Sequence, residues 1–458
     1  MASANPPSDL DKPRHIRYWQ RCHRSLLPIY YTPQDSIRLT LTFFIISALD
    51  LLSGPSSTSS SPSTNPPLLT PADRKSIRSF VLSLRHPAGG FVGSPNHLLP
   101  SPFYLGLKGG GLGQQFGGGS STTPHRHHHH NRHHPHAHDA NLAATSFALL
   151  LLALAAEDDE SARTAFAHVD RKATLRWLRR LQRDDGSFGE VVDSEGRVQG
   201  GRDMRCCYLA ASIRWCLRGD VEEGDEEWVE DIDVEGLIRH VRQAQTYDGG
   251  MAESSQHESH AGYAYCGVAA LSLLERPLAE SSTRPRPALH AGIPNMPALV
   301  KFLACRQFAY IEAPSASSDD DEEDDPETGN YIDGRPGSVP CGDELCVGYN
   351  GRWNKNADTC YCWWVGGTLQ ILGHLDLVNK PASRRFITSK TQHIIGGFSK
   401  YPGGPPDVYH AYLGLAALAV LDESPPEDRQ LKEFDAELCA SLDTVSKIEK
   451  ARAGLIRR

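Results

Sequence analysis

The sequence predicts an all-α protein, an α–α barrel in which a toroid of α-hairpins carries disordered low-complexity inserts. Three observations carry this expectation. Apolar residues recur at three- and four-residue steps in segment after segment: 142–156 (LAATSFALLLLALAA), 171–183 (RKATLRWLRRLQR), 205–218 (RCCYLAASIRWCLR), 235–245, 262–274, 361–377 and 409–421. The apolar–polar alternation of a half-buried strand is scarce. Glycine-centred turns return after helices, as HPAGGFVG at 86–93, DDGSFGE at 184–190, YDGGMAE at 247–253 and IGGFSKYPGG at 395–404. One α-hairpin cannot bury its own apolar face, so such units stack into an open solenoid or close into a ring with the glycine turns along one rim.

Taken in order, 1–13 is polar and proline-rich and reads as a flexible N-terminus without the charged-then-apolar pattern of a secretory signal. Residues 14–425 are expected to form the barrel domain. Within it 37–52 (IRLTLTFFIISALDLL) is the most apolar stretch. It carries Arg38 and Asp50 and is too short for a membrane span, so it reads as a buried helix. The inserts 53–71, 106–139 and 313–338 are rich in Ser, Pro, Gly, His or like charge and cannot bury enough apolar surface to offset ordering. Residues 426–458, charged and weakly patterned, read as a C-terminal tail.

The chain has 458 residues, 39% hydrophobic and 22% charged, the composition of a soluble protein with one large domain or two to three ordinary ones. Its net charge of -9, much of it from the acidic run 318–327, argues against nucleic acid as a partner. Eleven cysteines, including adjacent Cys206 and Cys207, follow no disulfide-like spacing. With no secretory signal, they point to a reducing, cytoplasmic location where most thiols are small core residues.

Chemistry concentrates in three places. In 348–364 (GYNGRWNKNADTCYCWW), Arg352, Lys355, Asp358 and Cys360 lead into a helix starting near Tyr361. A carboxylate and a thiol two residues apart can reach one metal ion, and His410 in GGPPDVYHAYLG offers a third ligand at another helix start. Such a set leaves a fourth tetrahedral position open, as catalytic zinc sites do, although the spacing alone also fits ordinary structural roles. The second place is 257–268 (HESHAGYAYCGV), where His260 and Tyr263 head a helix. With Arg352, Lys355 and Tyr361 they suit a polyanion, while a lone His there is equally a cap. The third, the tract HRHHHHNRHHPHAH at 125–138, lies in a low-complexity loop without fixed geometry and reads as nonspecific.

Several of these blocks together resemble the β subunits of protein prenyltransferases. GRWNKNADTCYCWW looks like their GRxNKxxDxCYSFW signature, ESHAGYAYCG like their EsHGGxtFCG block, and DMRCCYLAAS like the D(M/V)RxxYCA helix. PDVYHAYLGLAAL resembles the block with the zinc histidine, and 15–52 is similar to the N-terminal helices of the geranylgeranyl type I chains. The resemblance implies an α–α barrel β subunit that pairs with an α subunit and joins an isoprenoid to the cysteine of a C-terminal CaaX motif. It implies one zinc held by Asp358, Cys360 and His410. His260, Arg352, Lys355 and Tyr361 would bind diphosphate, and Arg205, Tyr208 and Trp364 would line the isoprenoid tunnel and peptide cleft.

Two positions imply the type I geranylgeranyl class. Thr40 stands where farnesyltransferases have a bulky aromatic that closes the tunnel. Lys400 stands where they have an Asp that helps hold Mg²⁺, so magnesium is expected not to be required. The implied substrates are geranylgeranyl diphosphate and CaaX proteins such as Rho-family small GTPases. Tyr409, Asn141, Gly201 and Ala261 depart from the family pattern, and the first three bear on the CaaX pocket. Tyr409 alone favours the farnesyltransferase alternative. A Rab-type chain would be shorter and lack the N-terminal block, a terpene cyclase would carry an acidic DxDD motif, and a non-catalytic α-hairpin scaffold would not need the triad and the cationic set together.

Overall fold

The computed structural model describes residues 9–54, 67–96, 140–193, 196–278, 287–311 and 345–456. Most of them belong to six α-hairpins, each an outer helix followed by an inner one. The pairs are α1 (Lys12–Arg24) and α2 (Arg38–Leu52), α3 (Pro71–Ser83) and α4 (Leu142–Leu154), α5 (Arg171–Arg180) and α6 (Met204–Leu217). They continue as α7 (Val234–Gln243) and α8 (Ala261–Glu275), α9 (Met296–Ala304) and α10 (Thr359–Ile371), and α11 (Lys380–Arg385) and α12 (Val408–Val420). The expected segment 361–377 is shorter as a helix because Gly373, at φ 74°, ends α10 in the left-handed region.

The two kinds of helix follow from their sequences. Outer α5 is amphipathic, burying Thr174, Leu175, Trp177 and Leu178 while most of its basic residues face outward. Inner α4 is apolar all round and buries eleven of its thirteen residues, which requires neighbours on every side. Accordingly α2, α4, α6, α8, α10 and α12 each pack on the next, and α12 returns to α2, so the inner helices form a closed ring.

The glycine turns join outer to inner helices on one rim. The same bridge recurs at Arg85–Phe91, Gln182–Phe188, Gln245–Met251 and Gln392–Phe398. Each turn abuts the next outer helix: a Cβ on Gly186 (φ 87°) would lie 1.9 Å from the Gly236 carbonyl oxygen of α7. The last turn closes the circle, since a Cβ on Gly396 (φ 89°) would lie 2.6 Å from the Arg14 carbonyl oxygen of α1. Ring and rim therefore match the closed rather than the open arrangement.

Three two-stranded ribbons supplement the helices. They are β1 (Val191–Val192) with β2 (Val198–Gln199), β3 (Gln307–Ala309) with β4 (Val347–Tyr349), and β5 (Phe434–Asp435) with β6 (Ala440–Ser441), all antiparallel. The stretch read as a charged tail is packed into the fold. After β5–β6, helix α13 (Leu442–Ile456) lies against α4 and α6 at the ring end away from the glycine rim. Its charges find partners: the Lys432 ammonium meets the buried Asp50 carboxylate at 2.8 Å and Asp443 at 3.2 Å. At the N-terminus Leu10 is buried and the Asp11 amide donates to Gln392 at 3.0 Å, so the chain is anchored from about there. Residues 1–8, 55–66, 106–139 and 313–338 of the segments expected to be flexible lie outside the described residues, as does the His tract.

Candidate active site

Inner helices begin at the glycine rim, and five of their N-caps are polar: Asn141, Asp203, His260, Asp358 and Asp407 each accept from a first-turn backbone N–H. The mouth of the ring is thus surrounded by the positive ends of helices. Two of these caps, Asp358 and Asp407, also belong to or hold an Asp–Cys–His group that could ligate a metal ion.

The side-chain donor atoms of Asp358, Cys360 and His410 all lie within 4.8 Å of one another, at the starts of α10 and α12. Asp358 caps α10 by accepting the Cys360 N–H at 2.9 Å, which fixes both residues relative to the helix. The Asp358 carboxylate faces His410 Nε2 at 3.4 Å. Asp407 does two things. Its Oδ1 accepts the Tyr409 and His410 amides at 2.9 Å, and its Oδ2 holds His410 Nδ1 at 2.6 Å. The imidazole is therefore turned with Nε2 toward Asp358 and Cys360, the carboxylate–histidine arrangement that orients metal ligands. Burial acts to lower the His410 pKa, but hydrogen bonds to Asp358 and Asp407 outweigh it and raise it to about 9. Burial acts to raise the Asp358 carboxyl, and His410 more than offsets this and leaves it below its usual range. The Cys360 thiol is pushed well up, first by burial and then by Asp358. A thiol, an imidazole and a carboxylate this close, with the imidazole held from behind, fit a zinc ion.

A second cluster stands beside the triad. His260 Nδ1 accepts the Gly262 N–H at 3.0 Å, so the neutral ring carries its proton on Nε2 and donates it to the Tyr361 hydroxyl at 2.9 Å. Burial, then the Arg352 charge, lowers the His260 pKa to about 4, which keeps this tautomer at neutral pH. Tyr361 lies against Gly351, where a Cβ would come within 2.3 Å of its ring. Arg352 pairs with Glu258 at 2.8 Å, and Arg205 is tied to its own helix cap Asp203. The charges of both guanidiniums act to lower the His260 pKa. Lys355 is exposed on the same loop as Arg352. Lys400 is exposed too, and its carbonyl accepts the Thr359 N–H at 2.9 Å, next to Asp358. Fully buried Arg306 stacks on Trp353 at 3.8 Å and supports this loop from below.

Behind both clusters the ring interior is aromatic. Trp364 donates Nε1–H to the Tyr409 hydroxyl at 3.2 Å and meets Tyr265 edge-on at 5.0 Å, and Tyr208 meets Tyr265 at 5.5 Å. Phe44 meets Phe147 and Tyr409, each at 5.9 Å. Thr40 lies in the first turn of α2, partly exposed, one turn before Phe44 on the same face. Sequence reasoning missed Asp407, Phe44 and Phe147. The first was legible as a cap, but its second role depends on a side-chain rotamer.

The chain belongs to the prenyltransferase family: the prenyltransferase alpha-alpha toroid domain matches residues 10–440. It is 28% identical over 420 residues to the geranylgeranyl transferase type-1 subunit beta of Arabidopsis thaliana, covering 92% of this chain and 87% of that protein. The same subunit of Dictyostelium discoideum is 25% identical over 413 residues, 90% of this chain and 91% of that protein. The protein farnesyltransferase subunit beta of Pyricularia oryzae is 27% identical over 306 residues, but only 62% of this chain and 49% of that protein are covered. Among solved structures, Candida albicans protein geranylgeranyltransferase-I complexed with GGPP shares the fold, with a TM-score of 0.64 and 22% identity over 97% of this chain and 99% of that chain.

Proposed function

We propose that this chain is the catalytic β subunit of a protein geranylgeranyltransferase of type I, which moves the geranylgeranyl group of its diphosphate onto the cysteine of C-terminal CaaX motifs. One observation carries the reading: a largely buried Asp–Cys–His group stands at the rim of a closed ring with an aromatic interior, beside the hydrogen-bonded His260–Tyr361 pair. The near full-length likeness to type-1 geranylgeranyl β subunits favours this lipid over farnesyl. Asp358, Cys360 and His410 would hold one zinc ion, which when bound favours the thiolate of a substrate cysteine at neutral pH.

The remaining chemistry is assigned to this chain's own residues. Asp407 keeps His410 turned inward. His260 spends its ring proton on Tyr361, leaving the Tyr361 hydroxyl proton for a diphosphate oxygen. As the sulfur–carbon bond forms, the bond from C1 to the diphosphate oxygen breaks and negative charge gathers on the leaving group. Arg352, Lys355 and Lys400, with Arg205 nearby, offset that charge, and Lys400 takes the place of a magnesium ion. The aromatic wall around Tyr208 and Trp364 holds the apolar chain by area burial, and Thr40 leaves room beside Phe44. An α subunit completes the enzyme in the cytoplasm; no described helix is long and apolar enough to cross a membrane.

The test is to co-express the chain with an α subunit of the same source and assay a CaaX peptide ending in Leu. Geranylgeranyl diphosphate should give the higher kcat/KM, without a magnesium requirement, and Thr40→Trp should shift the preference toward farnesyl diphosphate. Farnesyl preference in the wild type, or loss of activity on removing magnesium, would contradict the assignment.

A further inference from the structure

At the end away from the glycine rim the β5–β6 turn, which carries Cys439, is bonded to the inner helices α8 and α12. The Asp435 carboxylate accepts the Glu437 and Leu438 amides at 2.9 Å, which folds the β5–β6 turn back on itself. The turn reaches into the ring: the Tyr265 hydroxyl donates to the Ala436 carbonyl at 2.8 Å and the Tyr412 hydroxyl to the Cys439 carbonyl at 2.6 Å. Cys439 itself stands at φ 50°, a left-handed backbone that a non-glycine residue rarely adopts.

Cys439 is enclosed deep in the protein, yet it keeps accessible surface. Tyr208, Tyr409, Trp364, Phe44 and Phe147 on the inner helices also keep accessible surface. These side chains sit on the helices that form the inner wall of a closed ring and touch one another there, so we infer that the surface they keep belongs to its interior. A continuous line of side chains leads from the metal-ligating group to its end: His410 to Tyr409 at 5.0 Å, Tyr409 to Phe44 at 5.9 Å, Phe44 to Tyr412 at 5.3 Å, and Tyr412 to Cys439.

The turn is also held firmly. Arg276 meets Asp435 at 2.8 Å and Glu437 at 2.7 Å, Lys432 meets Asp50, and the Ser441 hydroxyl donates to Asp50 at 2.6 Å. Receding from the lumen would break charge pairs that are largely out of solvent.

We propose that Cys439 forms the floor of the lumen and is a specificity-determining residue for the length of the prenyl chain. This rests on the proposed prenyl transfer and adds to it a length limit on the C-terminal turn, apart from Thr40. A small side chain on a pinned turn leaves a fixed depth. A larger one fills it, and glycine, which suits the left-handed backbone, deepens it.

The test uses the αβ heterodimer and compares kcat/KM for farnesyl, geranylgeranyl and geranylfarnesyl diphosphates in wild type, Cys439→Phe and Cys439→Gly. Cys439→Phe should lower the geranylgeranyl-to-farnesyl ratio by on the order of 10- to 100-fold. Cys439→Gly should raise the geranylfarnesyl-to-geranylgeranyl ratio by on the order of tenfold. Melting curves check folding, and if Cys439→Phe does not fold, the glycine variant decides. An active wild type whose folded variants keep its ratios overturns the floor assignment alone. A wild type that transfers no prenyl group overturns the reading beneath it and this proposal together.

Discussion

Asp407 is the residue on which the site's order turns, because one carboxylate caps α12 and holds His410 Nδ1 at 2.6 Å. The two roles separate by substitution. Asp407→Asn keeps a capping oxygen and should melt close to wild type, yet bind zinc about 10- to 100-fold more weakly in competition with a chromogenic chelator. Asp407→Ala should lose the metal affinity and also about 1 kcal/mol of stability from the missing cap. Wild-type zinc affinity in Asp407→Asn would show that the carboxylate does not orient the imidazole. At this scale residue types were legible and their pairing was not. Asp358, Cys360 and His410 were named together through the resemblance of their sequence blocks to a known family, since their spacing alone also fits ordinary structural roles. That Arg205 is tied to Asp203, or that the His260 proton goes to Tyr361, depends on rotamers and, for the second, on a partner 101 residues away.

At the scale of elements, the repeated turns were legible because glycine at positive φ leaves a mark in any sequence. The β5–β6 turn was not. Its strands are two residues long, and its anchors, Asp50 and Arg276, lie far away in the chain. The joint between α1 and the last glycine turn was also hidden. There His15 is fully buried, its Nδ1 accepts the Gly397 N–H at 3.3 Å, and its Nε2–H donates to Gln392 at 3.0 Å. Burial lowers its pKa to about 4, against weaker opposing effects of Gln392 and Asp11. Between pH 6.5 and 4 the unfolded chain binds a proton that the folded chain does not. This contribution is therefore present above pH 6.5 and lost as the pH falls toward 4, on the order of 3 kcal/mol over the full shift. His15→Gln should be less stable than wild type at neutral pH, and urea midpoints should show the gap shrinking on acidification. A pH-independent gap would contradict a neutral, buried His15.

At the scale of the whole molecule, helix periodicity allowed an open solenoid as well as a ring. What decides between them is the contact of Gly396 with α1 and of α12 with α2, which joins opposite ends of the chain and leaves no local signature. Closure is what makes a site here. It gathers five capped helix starts at one mouth, sets the Asp–Cys–His group beside His260 and Tyr361, and leaves an aromatic interior that an open stack would not enclose. The most direct test of the central claim, that Asp358, Cys360 and His410 form a zinc site poised for a substrate thiolate, is zinc-edge X-ray absorption on the purified heterodimer. One zinc per heterodimer is expected, with one sulfur at about 2.3 Å and the rest of its shell nitrogen and oxygen. Adding a CaaX peptide should bring in a second sulfur, and Cys360→Ala should remove the first. A zinc shell of imidazoles alone, or one that a CaaX peptide leaves unchanged, would contradict the account.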